Sequence, residues 1–290
     1  MDLTRLSVQV RQVVMATIQA ADRDRCLDLA AQLAFYFLLA LFPILLVIVA
    51  LLGFFPVDNA SSRALVLLAP VAPGEVINLL AVQLKEITRD GRAGLATLGG
   101  LGAIWTGSSA MASMIGALNR VYAVPEWRPW WKRRLLALGL TIGFGVFMTA
   151  SLLLMLMGPG VTRMAADLVG LSGLVSPVWA VLRWPLMVGL VIISIDVVYR
   201  FAPNRRTRGP WTSPGSLVAT VLWIGSSLLF KVYVVNLGTY NVTYGAIGGV
   251  IVGMIWLYLS SLAILVGAEW NRVVGGDGNG GSDPGSGRRP

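Results

Sequence analysis

Apolar residues dominate six stretches of this chain, each more than twenty residues long: about Ala30 to Phe55, Leu95 to Leu118, Leu135 to Met157, Val178 to Val198, Gly215 to Val235 and Gly245 to Ala268. At a rise of about 1.5 Å per residue, a helix of this length covers the roughly 30 Å hydrocarbon layer of a bilayer. Every backbone amide and carbonyl in hydrocarbon needs an internal partner, so only helices and closed barrels span it. Barrel strands are about ten residues of alternating polarity. These runs are twice that length and do not alternate. The pattern predicts an all-α polytopic membrane protein, a bundle of six transmembrane helices in one domain over residues 29–273.

The segments between the runs predict further elements. Over residues 3–21, Leu3, Leu6, Val10, Val13, Val14 and Thr17 share one side of a helix and Arg5, Gln9, Gln12 and Gln19 lie elsewhere. Residues 1–28 are therefore expected to hold an amphipathic helix lying on the membrane surface, with a linker. After the first run, Val76, Ile77, Leu80, Leu84 and Ile87 repeat at helical spacing, and Pro70 and Pro73 interrupt an earlier apolar stretch. Two short amphipathic outer helices are expected there. Residues 274–290 are rich in glycine and poor in apolar residues, a composition that predicts a disordered tail.

Composition agrees with the pattern. The chain is 56% hydrophobic and 13% charged, against about 25% charged in soluble domains. Lys and Arg set orientation, because segments rich in them stay on the cytoplasmic side. With the amino terminus inside, sixteen of them fall on cytoplasmic segments and five (Arg63, Lys85, Arg89, Arg92, Arg163) on outer ones. The reading is a multi-pass protein of the bacterial inner membrane with both termini cytoplasmic. Eight charged residues precede the first run, which is also too long for a signal core, so that helix is expected to be an uncleaved anchor. The lone Cys26 allows no internal disulfide, and without histidine the usual Cys/His zinc spacings cannot occur.

Few residues are candidates for chemistry. Lys231 lies about one and a half turns from the outer end of the fifth run, and ionisable groups inside a bilayer are functional candidates. It either snorkels to the headgroups or faces a cavity. The neighbouring NLGTYNVTYG segment reads as an eight-residue outer turn, whose Tyr240, Asn241 and Tyr244 would join Lys231 in contacting a substrate. On the inner side, Asp196, Glu269 and Asn271 form a second candidate polar site. Asp196 has Arg200 four residues on and Glu269 has Arg272 three residues on, both spacings of helical ion pairs. Small residues four apart, at Gly99, Ala103 and Gly107, at Gly139 and Gly143, and at Gly245, Gly249 and Gly253, predict close helix packing, within one bundle or across a homo-oligomer seam.

Hydrolytic chemistry finds no support in the sequence. A nucleophile needs a positioned base, and Ser108, Ser109, Ser226 and Ser227 have no histidine to activate them. The LGGLG stretch at 98–102 lacks the Lys and Ser/Thr of a phosphate loop. No cofactor, metal or nucleic acid is implied. WRPWWKRR from Trp127 and RRTR from Arg205 mix basic and aromatic residues, but each abuts a cytoplasmic helix end, where membrane lipids with anionic headgroups are the expected partner.

Three blocks, AAQLAFYFLLALFPILL from Ala30, LGAIWTGSSAMASMIGALNRVYAVPEWRPWWKRR from Leu101 and YNVTYGAIGGVIVGMIWLYLSSLAILVGAEWNRV from Tyr240, resemble the YihY/BrkB family of bacterial inner-membrane proteins. The resemblance implies a six-helix membrane fold. Family members have carried the label ribonuclease BN, a tRNA-processing enzyme; others are named for serum resistance, a virulence trait, and lipid transport is proposed for some. RNA hydrolysis requires a metal with ligands or an acid/base pair. It would need Asp22, Asp24, Asp28, Asp196 and Glu269 to converge. The expectation is a non-enzymatic transporter or flippase-like carrier of a lipid, amphiphile or anionic solute, with a membrane scaffold for envelope or lipid-synthesis partners as the alternative.

Overall fold

The structure, a computed structural model, describes residues 3–53, 93–156, 172–205, 212–236 and 240–275. They form seven helices: α1 Leu3–Arg23, α2 Cys26–Gly53, α3 Ala93–Val121, α4 Trp130–Leu156, α5 Ser172–Phe201, α6 Pro214–Asn236 and α7 Tyr240–Val274. The expected outer amphipathic helices and the tail from 276 onwards lie outside the described residues. Among the described residues, three stretches are long and apolar enough to cross a membrane: Val181–Phe201, Pro214–Val234 and Gly248–Val274.

The polar patch before the last run folds differently from the expected eight-residue turn. Only residues 237–239 separate α6 from α7, and Tyr240 to Tyr244 already belong to the helix. Asn and Thr disfavour helix by only about 0.7 kcal/mol each, less than the apolar segment that follows them supplies in continuous backbone bonding.

The buried core shows how the helices run. It takes Cys26, Leu29, Ala30 and Leu33 from the start of α2, and Met111, Met114, Ile115, Leu118 and Val121 from the end of α3. Ala137 and Leu140 come from the start of α4, Ile195, Tyr199 and Ala202 from the end of α5, Ala219 from the start of α6, and Leu265 and Ala268 from the end of α7. Starts and ends alternate, so successive helices run up and down and meet at one end of the bundle, called here the core end. α2 packs against α3, and α7 against both α6 and α2.

Farther from this end the helix surfaces are apolar and exposed, as at Ile142 and Val146 on α4, Val181 on α5 and Leu229 on α6. Surfaces of this kind are disfavoured in water and suited to lipid. α1 packs on α7 and α2. It buries Thr17 and Ala20, whereas Val10 and Val14 of the expected stripe are exposed beside Met15 and Ile18.

The small-residue stripes are only partly engaged. A β-carbon on Gly107 would meet the Thr141 methyl at 3.2 Å, but on Gly139, Gly143 or Gly253 it would meet nothing within 4 Å. The tightest approach lies at Gly215 and Gly267, where α6 crosses α7. Spacing alone marks which residues share a helix face, not whether that face meets another helix.

Candidate functional site

Polar side chains gather at the core end in three adjoining groups. The first organises the start of α6. Ser213 precedes Pro214, and a Ser followed by Pro at the first helical position is a helix-start signal. Asp196 of α5 accepts hydrogen bonds from the Ser213 amide at 3.0 Å and from its hydroxyl at 2.7 Å. Asn271 of α7 donates to the same hydroxyl at 3.0 Å and accepts from the Gly215 amide at 2.7 Å. Its amide also reaches the Tyr122 hydroxyl at 3.4 Å. Burial pushes the Tyr122 phenol above its ordinary value, against the Asn271 bond and the positive charge of Arg205, which oppose the shift. The Arg205 guanidinium lies over the Tyr122 ring, 4.0 Å from its centre.

The second group clasps two loops. Asn119 receives the Asn204 amide on its oxygen at 2.7 Å and donates to Glu126 at 2.8 Å. Glu126 also binds Arg128, through Nε at 2.8 Å and the backbone amide at 3.1 Å. Arg128 continues to the Ala202 carbonyl at 2.8 Å. Partial burial works to raise the Glu126 carboxyl, but the bonds from Arg128 and Asn119 outweigh it and leave the group below its usual range. These contacts join the α3–α4 loop to the end of α5. Within WRPWWKRR, Arg133 donates to the Ala112 carbonyl and Arg134 to the Trp105 carbonyl, each at 2.8 Å. The arginines of that stretch thus serve the fold. Trp127, Trp130 and Trp131 are left strongly exposed.

The third group is ionic. Arg272 Nη2 lies 2.8 Å from Glu269 Oε2 and 2.8 Å from Asp24 Oδ2. Glu269 is fully buried, and Arg272 is 3% exposed. The Cys26 thiol sits 3.8 Å from the other Glu269 oxygen. Sequence spacing identified the Glu269–Arg272 pair. Asp24 enters from the α1–α2 junction, 248 positions earlier in the chain than Arg272, a juxtaposition no local pattern could announce.

Of the inner candidates, Asp196 and Asn271 meet on Ser213, whereas Glu269, two residues before Asn271 on α7, pairs with Arg272 instead. Lys231 is on the exposed surface of α6, between Leu229 and Val232, which are exposed as well. Tyr240, Asn241 and Tyr244 fall in the first turns of α7, and their side chains lie outside the described residues. The helical serines bond locally or across helices: Ser108 and Ser109 to the Trp105 carbonyl, Ser226 to that of Trp223, and Ser227 to the indole of Trp256. Among the described residues no three His, Cys, Asp or Glu side chains converge in a way that could hold a metal ion. Asp28 pairs with Arg25 in an exposed position.

Comparison with known proteins places the chain in a family. The sequence model described as Virulence factor BrkB matches residues 17–288, and the chain belongs to that family. YfkH of Bacillus subtilis, a protein named ribonuclease-like, is 35% identical over 245 residues, which are 84% of this chain and 88% of that protein. A UPF0761 membrane protein of Aromatoleum aromaticum is 29% identical across 86% of this chain and 60% of its own length. Another from Alkalilimnicola ehrlichii is 30% identical across 87% of this chain and 56% of its own length. The chain spans less than two thirds of these UPF0761 relatives. No solved structure matches it.

Proposed function

We propose that this BrkB-family membrane protein carries a lipid, amphiphile or anionic solute across a bacterial inner membrane through a six-span bundle. In this reading α2 to α7 each cross the bilayer and α1 rests on the cytoplasmic surface. The core end faces the cytoplasm, where sixteen of the Lys and Arg residues fall. Trp127, Trp130 and Trp131 then occupy the headgroup layer that Trp favours, beside Lys132, whose ammonium is 5.2 Å from the centre of the Trp131 ring. Anionic headgroups are the partner such a rim suits.

One observation carries the transport reading: farther from the core end, several small residues of the described helices face open space and not another helix. Gly102 on α3, Gly143 and Gly145 on α4, and Gly225 and Gly253 on α6 and α7 have nothing within 4 Å of a built β-carbon. Open helix faces of this kind offer an acyl chain apolar surface to lie against. A second copy of the chain could cover the same faces.

The scaffold reading draws on Lys231, whose exposed place suits a side chain reaching headgroups from a lipid-facing surface. The ribonuclease reading gains no support from the geometry. Asp196 is bonded to Ser213, Asp24 and Glu269 meet on Arg272, and Asp28 pairs outward with Arg25.

The test is reconstitution of the purified chain in liposomes containing fluorescent anionic and zwitterionic lipids, with leaflet exchange followed by dithionite quenching. Transport requires exchange above that of protein-free vesicles. If exchange occurs, Lys231→Ala reports whether that residue takes part. An unchanged background for every lipid and anion tried would leave the scaffold reading standing.

A further inference from the structure

Arg133 and Arg134 have hydrogen-bond partners on α3 but no counter-charge. Arg133 donates to the Ala112 carbonyl, and Arg134 donates to the Trp105 carbonyl and, at 3.1 Å, to the Ser109 hydroxyl. The Arg134 guanidinium also lies over the Trp105 ring, 3.8 Å from its centre. Carbonyls, a hydroxyl and a ring face satisfy N–H groups and leave the unit charge in place, and arginine does not give up its proton. Both Nε atoms are buried without an acceptor. Residues 93–156, which hold α3 and α4, contain five basic residues and one acidic residue, Glu126, and Arg128 takes that carboxylate. Among the described residues no carboxylate of another helix pairs with Arg133 or Arg134.

Arg134 also turns away from water. Gly107 lies against the Thr141 methyl, and α3 and α4 are antiparallel. Arg134, seven residues before Thr141, therefore stands opposite a point seven residues after Gly107, near Met114. Its guanidinium nevertheless bonds at positions 109 and 105, about one turn or more beyond that level and away from the core end. Long basic side chains near a helix end ordinarily snorkel outward. This one is held along α3, where Ile104 and Trp105, and Leu135 of α4, are exposed and apolar. An unbalanced charge in hydrocarbon is expensive.

We propose that Arg134 receives the phosphate of an anionic phospholipid from the leaflet at the core end, with the acyl chains lying on Ile104, Trp105 and Leu135. The proposal rests on the reading above that α3 and α4 cross the bilayer, and it gives that reading's lipid a headgroup. The N–H groups left over on the two terminal nitrogens of Arg134 form the edge from which a phosphate accepts. A free phosphate carries the same charge, but the apolar surroundings suit one that arrives with acyl chains. A headgroup without a cation of its own, such as phosphatidylglycerol, keeps its charge for the guanidinium; phosphatidylcholine does not.

The test uses the full chain, purified in detergent, stripped of lipid and titrated with an equimolar mixture of these two lipids with the same acyl chains, bound lipid being read by native mass spectrometry. One phosphatidylglycerol per chain should bind in preference to phosphatidylcholine. Arg134→Gln, which removes the charge and keeps an amide donor, should weaken that binding by about tenfold or more. Arg120→Ala removes the same charge from an exposed position at the end of α3 and should leave the binding unchanged. Arg134→Lys keeps the charge without the planar fork and should fall between, so the test survives if Arg134→Gln does not fold. Equal binding of the two lipids, equal loss in Arg134→Gln and Arg120→Ala, or displacement of the lipid by inorganic phosphate would overturn the site. The span is checked separately: in nanodiscs Ile142→Cys should resist a water-soluble maleimide, Cys26 being buried. Labelling at position 142 would remove the span reading and the site with it, whereas protection there without lipid preference would remove the site alone.

Discussion

Gly215 and Gly267 face each other backbone to backbone where α6 crosses α7. A β-carbon on Gly215 would come to 2.1 Å from the Gly267 carbonyl oxygen, and one on Gly267 to 2.5 Å from the Gly215 carbonyl oxygen. Neither can be accommodated by turning a side chain. Beside them, the Tyr199 hydroxyl donates to the Ile264 carbonyl, so the crossing is closed on that flank as well.

Gly267→Ala should therefore destabilise the bundle by about 1–3 kcal/mol, the usual cost of overpacking. Gly139→Ala, in open space, should be neutral or stabilise by up to about 1 kcal/mol through helix propensity. Thermal unfolding in detergent of the two variants beside the wild type measures the contrast.

Removing Arg272 strands two carboxylates. Arg272→Ala should cost about 3–5 kcal/mol, as when one partner of a buried ion pair is removed. Because the loss comes from unpaired charge, the double variant Arg272→Met with Glu269→Leu should recover much of it. Equal stability for the single and double variants would contradict this account.

Asp196→Ala leaves the Ser213 amide and hydroxyl without their acceptor at the start of α6. The expected loss is about 1–3 kcal/mol, the range for leaving a buried donor unsatisfied. Hydrogen exchange should quicken first in residues 213–217, and Asp196→Asn should retain part of the protection.

Ala123 closes α3 with φ of 51°, a left-handed conformation. Its amide bonds to the Arg120 carbonyl at 3.0 Å, and that of Val124 to the Asn119 carbonyl at 2.9 Å, the pairing of a helix end usually closed by glycine. Ala123→Gly should stabilise the protein by about 1 kcal/mol, seen as a higher midpoint in thermal unfolding.

The loop clasp should be acid-sensitive. The Glu126 carboxyl is lower in the folded chain than when free, so its contribution is complete above the ordinary carboxylate range. That contribution fades as pH falls through the folded value. Comparing melting at pH 7 and in acid, the loss should be smaller in Glu126→Gln than in the wild type.

Much of the helical framework was legible in the sequence because a long apolar run favours a continuous helix, and each described run lies within or close to one helix. The pair Glu269 and Arg272 was legible because helix geometry puts residues three apart side by side. Ser213 could have been found from the Ser-Pro signal before α6. Other relationships had no local trace. Nothing near Gly215 in the chain says that Gly267 will press against it, and the equally spaced Gly139 and Gly143 face open space. Which glycine meets a backbone depends on how the helices cross.

The sequence by itself determined that these segments are helices and that three stretches among the described residues are long and apolar enough to cross a bilayer, since both follow from residues close together in the chain. Only the tertiary structure decided that Asp24 would share a guanidinium with Glu269, and that Asp196 and Asn271 would meet on Ser213. Those contacts join distant parts of the chain through side chains whose positions depend on every helix between them.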